Sequence, residues 1–470
     1  MKSIFKLFLA VAVLAFSAVA CGTLENNAEP EVLKDGKHIS KMVFRGSVAG
    51  YEGATVRDDS TKSESSWTDG DVVYIAFHNG TDIVPGTAVY SESDGWSVSY
   101  DGDLAEGSSQ TCEVRFFVNT TFSNEVLVTL NPHTEIYEDS AGVFDFNGNT
   151  ISVTASLTPK TGRIRFTGNA ADVIYVTGIT TYTTFSPAGN QFSTTNAALS
   201  LIVDELGSTP YVYGYFTYND RKLGIVGSDF AYTRTCNESV FQAGDSGYMK
   251  IPSTSSHNNW KTGLLLTVNG VDFKMLSLVG YSTGYSLLAE TETTTALYNA
   301  VIGTSSSGDY RPRSDNYPQW QTFITSLNNT TGLSFFIPSK DLWQFAATGG
   351  LSSQGYMYSG SNTPGDVAWY SGNSGSSTHL VKQLAPNELG FYDMSGNEAE
   401  WTSSTPTTNS GDRYYSGTSS STYLNRHYVM GGKYNDNEDY LRPSNTTVSE
   451  YYSHTSIEHK YGLRLALRFD

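Results

Sequence analysis

The chain has 470 residues, and at about 150 residues per domain this length predicts roughly three domains. Its 47 acidic residues outnumber 29 basic ones, and the net charge of −18 argues against a nucleic-acid partner, because phosphate binding needs clustered lysine and arginine. Charged residues make up only 16% of the chain, aromatic residues make up 13%, and 44 positions are glycine. This balance favours short β-strands joined by turns over helical bundles.

The first twenty residues have the layout of an export signal, in which Lys2 and Lys6 precede an apolar run that ends in small residues. The run is too short for a comfortable membrane span. The residues AVAC, which end at Cys21, resemble the lipobox of bacterial lipoproteins. The resemblance implies that Cys21 is the lipid-attachment residue, with a plain secretory signal as the alternative. Residues 21–36 are polar and acidic, which is typical of a flexible tether.

Apart from Cys21, the chain contains only two cysteines, Cys112 and Cys236. They are far apart in the sequence and no C-x-x-C motif occurs, which excludes thiolate zinc sites and dithiol redox chemistry. A long-range disulfide remains open in an oxidising compartment. Because the two cysteines are expected to lie in different domains, we favour two buried free thiols.

The stretch that follows the tether alternates apolar residues with turn signals. The segments TDGDVVYIAFHNG (68–80) and NTISVTASL (149–157) show this pattern clearly. Helical periodicity is nearly absent before residue 285. The pattern predicts two antiparallel β-sandwich domains, over residues 37–150 and 151–262.

The sequence changes character near residue 262, and residues 263–470 are predicted to form an α+β domain. Segments 291–303, 317–329 and 338–350 are compatible with helices, and in the second of them three large apolar side chains share one face: Trp320, Phe323 and Leu327. Ser339 is the expected N-cap of the third helix. Beyond residue 350 the chain becomes long polar loops, which are unusual inside a compact domain unless they have a function.

Several β-rich segments resemble the fimbrillin-like proteins that build type V fimbriae of Gram-negative anaerobes. The resemblance rests on WTDGDVVYIAF (67–77), AVYSESDGWSV (88–98), VRFFVN (114–119), SLTPKTGRIRFTG (156–168) and YVYGYFT (211–217). It implies a transthyretin-like β-sandwich fold and a lipoprotein precursor. In that family a protease cuts after Arg or Lys in the first domain, and a strand of the next subunit fills the groove that is freed.

Carried onto this chain, the fimbrillin resemblance makes Lys41, Arg45 and Arg57 the candidates for proteolytic processing. The sequence does not choose among them. The alternative is that all three are ordinary exposed basic residues.

The C-terminal region resembles the sulfatase-modifying-factor domain, the family of the formylglycine-generating enzyme, whose fold is C-type-lectin-like. The resemblance rests on segments 327–350, 386–404 (PNELGFYDMSGNEAEWTSS), 428–444 (YVMGGKYNDNEDYLRPS) and 461–467 (YGLRLAL). At the two positions of the family's active cysteines this chain has Asp436 and Leu441, and Lys433 replaces the neighbouring serine. A thiolate is the nucleophile and the copper ligand of that reaction. We therefore expect no formylglycine synthesis, no other catalytic residues and no copper.

The same resemblance implies a calcium position in DMSGNEAEW (393–401). Its ligands would be the Asp393 side chain, the main-chain carbonyls of Gly396 and Glu398, and the Glu400 carboxylate, an oxygen-rich set of the kind that calcium prefers. Such an ion would be structural, and substituting Glu400 with glutamine is expected to weaken the site with little effect on the metal-free fold. The alternative is a turn whose acids accept hydrogen bonds from backbone amides.

Loops between residues 405 and 460 mix tyrosine with asparagine and aspartate, a composition that suits adaptable binding surfaces. The candidate ligand-binding residues are Tyr414, Tyr415, Tyr434, Asn435, Asp436, Asp439 and Tyr440. The sequence thus predicts an exported lipoprotein of the outer membrane or cell surface that acts as a fimbrial (tip) subunit or adhesin. Its expected partners are the membrane, other fimbrial subunits, and a glycan or protein ligand. A surface enzyme on the same fold and a purely structural pilin are the alternatives.

Overall fold

The computed structural model describes most of the chain from residue 31 onwards. The described ranges are 31–32, 38–48, 67–118, 127–168, 172–203, 210–217, 219–236, 241–244, 246–251, 262–281, 285–304, 308–405, 413–414, 426–444, 447–450 and 459–469. Cys21, Arg57 and Tyr415 lie outside these ranges. What the sequence predicts for these three residues therefore stays a prediction.

The described residues are mainly β-strands, with four α-helices in the C-terminal part. The strands are β1 Glu31–Val32, β2 His38–Val48, β3 Val72–Asn79, β4 Asp82–Ser91, β5 Gly95–Tyr100, β6 Gly107–Val118, β7 Val128–Thr129, β8 Glu135–Asn147, β9 Thr150–Pro159, β10 Gly162–Thr167, β11 Asp172–Thr177, β12 Ile179–Ser186, β13 Gln191–Thr195, β14 Leu199–Val203, β15 Val212–Phe216, β16 Lys222–Val226, β17 Ala231–Thr235, β18 Ser246–Lys250, β19 Leu264–Val268, β20 Val271–Ser277, β21 Tyr285–Ala289, β22 Phe335–Phe336, β23 Glu400–Trp401, β24 Arg413–Tyr414, β25 Arg426–Met430, β26 Thr447–Glu450 and β27 Ala466–Phe469. The helices are α1 Thr295–Ile302, α2 Tyr317–Thr331, α3 Lys340–Ala347 and α4 Pro364–Val367.

The first unit is a single sheet that closes on itself. Its strands follow the order β2-β5-β4-β3-β6-β8-β9, and β2 pairs back onto β9 in parallel register from Lys41 with Thr150 to Val48 with Leu157. Alternate residues of each strand point inward, as a closed sheet requires. In the interior, Trp67 meets Phe44, Trp96 and Phe116 edge to face, with ring centroids 5.1 to 5.6 Å apart.

The predicted β-rich fold is confirmed, but two details of the first unit differ from the prediction. Strand β9 begins at Thr150 and completes the first sheet, so the first unit extends to Pro159 and does not end at residue 150. The closing β2–β9 pair is parallel, whereas a purely antiparallel sandwich was expected. Lys41 and Arg45 lie within β2 with exposed side chains, so a protease would have to unpair this strand to reach either peptide bond.

The second unit is a sandwich of two sheets. One sheet has the order β13-β12-β15-β10-β18, and the other has the order β14-β11-β16-β17. Between them lies an apolar core that includes Phe166, Val176 and Leu223. The first unit contributes β7, which pairs with β12, and the Tyr74 hydroxyl donates a hydrogen bond to the Pro187 carbonyl at 2.7 Å. These contacts join the first two units.

The C-terminal domain contains the sheets β19-β20-β21-β27-β22 and β23-β25-β26-β24, together with the four helices. The predicted apolar face of α2 is confirmed, because Trp320, Phe323 and Leu327 are all fully buried. The predicted cap of α3 is also confirmed, since the Ser339 side chain accepts a hydrogen bond from the Leu342 amide.

The second unit and the C-terminal domain share one apolar core. Tyr175 of β11 belongs to the same buried cluster as Leu264 and Phe469, and the Tyr175 and Phe469 rings are 5.2 Å apart. The two parts also approach closely at Gly224, where a Cβ atom would lie only 2.2 Å from Leu264 Cδ1. The sheet that contains β11 and β16 therefore covers part of the C-terminal domain.

Cys112 and Cys236 are both free thiols, the first buried and the second half-buried. Burial raises the pKa of the Cys112 thiol to about 12, so this group is not a reactive nucleophile. In the part of the chain that the structure describes, from residue 31 onwards, no helix is long and apolar enough to span a membrane.

Candidate functional site

Residues 393–400, here called the acidic loop, form a tight irregular turn that leads into β23. Three of its residues have left-handed backbone conformations, with φ of +56° at Asp393, +79° at Gly396 and +57° at Asn397. A Cβ atom on Gly396 would lie 2.3 Å from the Trp369 carbonyl oxygen, so only glycine fits there. Non-glycine residues in this conformation persist only where the surrounding contacts fix them, and they cluster at functional sites.

Glu400, at the end of the acidic loop, forms a buried ion pair with Arg464. Arg464 Nη2 lies 2.8 Å from Glu400 Oε1, and both side chains are almost completely buried. The Trp343 indole Nε1 donates a further hydrogen bond to Glu400 Oε2. The guanidinium also donates to the carbonyls of Ala289 and Tyr392, at 3.0 and 2.8 Å. Glu400 therefore ties the loop to the C-terminal strand region and to α3.

Asp393, at the start of the acidic loop, is buried and only half satisfied. Its Oδ2 atom accepts a hydrogen bond of 2.7 Å from the Lys382 amide. Its Oδ1 atom is buried and has no hydrogen-bond partner among the described residues. Burial raises the pKa of this carboxyl to about 6, against the influence of the Lys382 amide and the Arg464 guanidinium. An unpartnered buried carboxylate oxygen is costly unless a proton or a cation meets it.

Glu292 is a third buried acid beside the loop, and the sequence did not single it out. Its Oε2 atom accepts from Asn397 Nδ2 and its Oε1 atom accepts from the Glu398 amide, each at 2.9 Å. Burial, with the charges of Asp393 and Glu400, raises the pKa of Glu292 well above its ordinary value. Three buried carboxylates thus face one buried guanidinium.

The residues present fit a calcium ion in part. No three Asp, Glu, His or Cys side chains form a metal site on their own within the described ranges, so an ion here would rely on main-chain carbonyls. Asp393 Oδ1 is an acceptor of the right chemistry without a partner among the described residues, and the predicted Gly396 and Glu398 carbonyls would add two oxygens. Calcium takes about six to eight oxygen ligands, so waters or other oxygens would have to fill the remaining positions. Glu400 fits less well, because Arg464 and Trp343 already bind both of its carboxylate oxygens.

The positions of the family's cysteines are filled by structural contacts. Leu441 is fully buried in an apolar cluster with Tyr358, Val367 and Ala368. The Asp436 carboxylate accepts from the Lys433 amide at 2.8 Å, and the Asp436 carbonyl accepts from the Ser371 amide at 2.9 Å. Both side chains therefore hold loops in place.

Lys433, at the position of the family's serine, is held by three groups. Its Nζ atom lies 3.0 Å from Glu398 Oε1, donates to the Lys460 carbonyl at 3.0 Å, and sits 4.3 Å from the centre of the Tyr461 ring. Burial raises the pKa of Glu398, and the Lys433 charge opposes that effect. This ammonium group is therefore part of the framework beneath the loop surface.

The predicted ligand-binding residues between 434 and 440 lie on one loop. Asn435 and Asp439 are exposed, and Tyr434, Asp436 and Tyr440 are half-buried. Asp439 forms an ion pair of 3.0 Å with Arg442. The structure places Tyr414 on the short strand β24.

An aromatic pair that the sequence reasoning missed braces the acidic loop. The Trp369 and His379 rings stack with centroids 3.8 Å apart. The His379 amide donates to Asn397 Oδ1 at 2.8 Å, and its Nε2 atom lies 2.8 Å from the Ser374 carbonyl. Only the tertiary fold brings these residues together, so no local sequence signal identifies them.

Comparison with known proteins locates one family in the chain. The family described as "Sulfatase-modifying factor enzyme 1-like domain" matches residues 298–469. A relative from Paenibacillus barcinonensis, "Chaperone protein LppX", is 35% identical over 121 residues, which cover 22% of this chain and 41% of that protein. The chain thus spans less than half of that relative's length.

Several solved structures are also similar to the chain. "Treponema denticola variable protein 1" is 24% identical over 44% of this chain and 99% of its own, with a TM-score of 0.36. A fimbrial protein from Bacteroides ovatus is 11% identical over 92% of this chain and 99% of its own, with a TM-score of 0.23. These scores are low, so the family match is the informative comparison. Residues 298–469 are a sulfatase-modifying factor enzyme 1-like domain.

Proposed function

We propose that this protein is a cell-surface lipoprotein, a fimbrial subunit or adhesin, whose C-terminal domain binds a ligand without catalysing a reaction. The observation that carries the proposal is the state of the two cysteine positions. Leu441 is sealed in an apolar cluster and Asp436 holds its own turn, so neither supplies the thiolate that the family's chemistry uses. The exposed face of the same loop offers Asn435 and Asp439 beside half-buried tyrosines, which suits recognition.

The purified protein is expected to produce no formylglycine in a sulfatase peptide, with or without copper. The reason is that a carboxylate and a leucine cannot act as the two thiolates. The measurement is mass spectrometry of the peptide after incubation, with an active formylglycine-generating enzyme as the positive control. An aldehyde product in the test reaction would overturn the non-catalytic part of the proposal.

The adhesin proposal is tested by probing the protein on arrays of glycans and of extracellular matrix proteins. A variant that combines Asn435→Ala with Asp439→Ala is expected to lose most of the bound signal, because both side chains are exposed on the loop surface. The matched control is Asp366→Asn, at an exposed acid outside this loop. Equal signal from the two variants would place recognition elsewhere, and no signal from the unmodified protein would favour a structural pilin.

Replacing Cys21 with alanine is expected to abolish membrane attachment. The AVAC box after an apolar run is the basis, and stable anchoring needs more than one acyl chain. The measurement is detergent partitioning and palmitate labelling of the expressed protein. A Cys21→Ala protein that still partitions into detergent and takes up label would contradict the lipoprotein assignment.

We also propose that the acidic loop binds calcium, which would hold the loop's charges together and perform no chemistry. Millimolar calcium is then expected to raise the melting temperature of the mature protein, because a ligand at a hundredfold excess over its Kd stabilises the folded state by about 2.7 kcal/mol. Asp393→Asn should remove most of this gain, since the substitution removes the charge of a carboxylate whose Oδ1 atom has no hydrogen-bond partner among the described residues. Equal melting temperatures in EDTA and calcium for the unmodified protein would contradict the proposal.

A further inference from the structure

Glu292 is a buried acid that forms no ion pair with any basic side chain of the described residues, and only 2% of it is exposed. Burying a carboxylate is costly unless charges or hydrogen bonds offset it. Here the offset comes from two donors of the acidic loop, Asn397 Nδ2 and the Glu398 amide, each at 2.9 Å. Two donors that arrive together need two acceptor oxygens, which a carboxylate has and a glutamine side chain does not.

These two hydrogen bonds anchor the Asn397 side chain and the Asn397–Glu398 peptide, which lie between the two carbonyls that would face an ion, those of Gly396 and Glu398. The Asn397 side chain is fully buried. The Asn397 backbone N–H, which belongs to the Gly396–Asn397 peptide, donates to the Trp369 carbonyl at 2.8 Å. In a trans peptide the carbonyl points opposite to the amide hydrogen, so this contact turns the Gly396 carbonyl away from Trp369. Glu292 lies far earlier in the sequence, and its hydrogen bonds hold Asn397 and Glu398 in this orientation.

A second observation points to a ligand at the same place. Asp393 is 4% exposed, and its Oδ1 atom is buried without a hydrogen-bond partner among the described residues. The charges of Asp393 and Glu400 act on the Glu292 carboxyl, and the Arg464 guanidinium opposes them. Arg464 is already paired with Glu400, so a cation beside Asp393 Oδ1 would meet an acid that has no ion pair of its own among the described residues.

We propose that Glu292 is a positioning residue for a divalent cation in the acidic loop: it orients the Gly396–Glu398 backbone towards the ion and does not itself bind it. This inference rests on the calcium binding proposed above. Residues that orient metal ligands typically change metal affinity 10- to 100-fold when they are substituted. The site would thus depend on a residue that lies more than a hundred positions before the loop.

The test compares three variants of the full-length mature protein: Glu292→Gln, Glu292→Asp and Glu290→Gln. Glu290 is the matched control, because it lies two positions earlier and its carboxylate binds Lys274 and Lys382. Calcium affinity is measured by titration calorimetry and by terbium luminescence at 15 °C, and melting temperature is measured in EDTA. We expect at least a tenfold loss of affinity for Glu292→Gln and less than a twofold change for Glu290→Gln.

Glu292→Asp keeps the negative charge but has a shorter side chain. It therefore distinguishes an effect of the hydrogen-bond geometry from an effect of the charge alone. If Glu292 acts by positioning the loop, the Glu292→Asp variant also loses calcium affinity. Native affinity in Glu292→Asp would overturn the inference, and so would a lower melting temperature in EDTA with unchanged affinity in Glu292→Gln. If the unmodified protein binds no calcium, the calcium proposal itself fails. If it binds calcium and all variants match it, only the role of Glu292 fails.

Discussion

Replacing Arg464 with methionine is expected to lower the free energy of unfolding by about 3–5 kcal/mol, the usual effect of breaking a buried ion pair from one side. Arg464 is completely buried and binds the Glu400 carboxylate and the carbonyls of Ala289 and Tyr392. Its loss strands a buried carboxylate without a counter-charge. The measurement is urea unfolding of the mature protein at neutral pH, followed by tryptophan fluorescence.

The matched control for this prediction is Arg468→Met, at an exposed position of the same strand β27. It should change stability by far less, because surface charges contribute little. The double variant Glu400→Gln with Arg464→Met should be less destabilised than the sum of the two single variants, since it removes both buried charges. If the two single variants' losses of unfolding free energy add up to the loss in the double variant, the two side chains contribute to stability independently.

A fragment that begins at residue 262 is expected to lose cooperative folding, whereas a fragment that begins at residue 160 keeps it. The isolated C-terminal region lacks Tyr175, Val226 and Ala231, which share its main apolar core. Each large apolar side chain that is fully buried contributes about 1.5–3 kcal/mol, so uncovering even two of them removes about 3–6 kcal/mol. That loss is comparable with the whole stability of many domains, which starts at about 5 kcal/mol.

Circular dichroism and differential scanning calorimetry of the two fragments provide the measurement. A stable, cooperatively melting fragment from residue 262 would mean that the shared core is not required.

Local patterns were sufficient to predict α1, α2 and α3, because the residues that decide a helix lie within one or two turns of each other. The short helix α4 was not predicted, since residues beyond 350 were expected to form polar loops. Trp320, Phe323 and Leu327 follow the helical period, and Ser339 needs only its own first turn to act as a cap. The closing pair of β2 with β9 carries no such signal. Alternation shows which face of a strand is buried but not which distant strand it meets, so the boundary at residue 150 fell before β9.

In the candidate site, too, the residues that are close together in the sequence could be predicted and those that are far apart could not. The resemblance drew attention to Asp393 and Glu400, which lie in one short segment. Glu292 and Arg464 lie in segments far away in the chain, and their hydrogen bonds to Asn397 and Glu400 hold the loop in place. We expected from the sequence that Glu400→Gln would barely affect the metal-free fold. The buried ion pair predicts a larger destabilisation, because the substitution leaves Arg464 buried without a charged partner.

The parallel pairing of β2 with β9 also affects the order in which the parts of the first unit can fold. A chain that is synthesised from its N-terminus presents β2 early, but Lys41 cannot pair with Thr150 until the last strand of the first unit has emerged. Closing such a long loop is entropically unfavourable, and folds dominated by distant contacts form slowly. Until then Trp67, Trp96 and Phe116 face an open seam. The newly made protein would therefore depend on a chaperone that shields this seam, or on rapid synthesis of roughly the first 160 residues, to avoid aggregation.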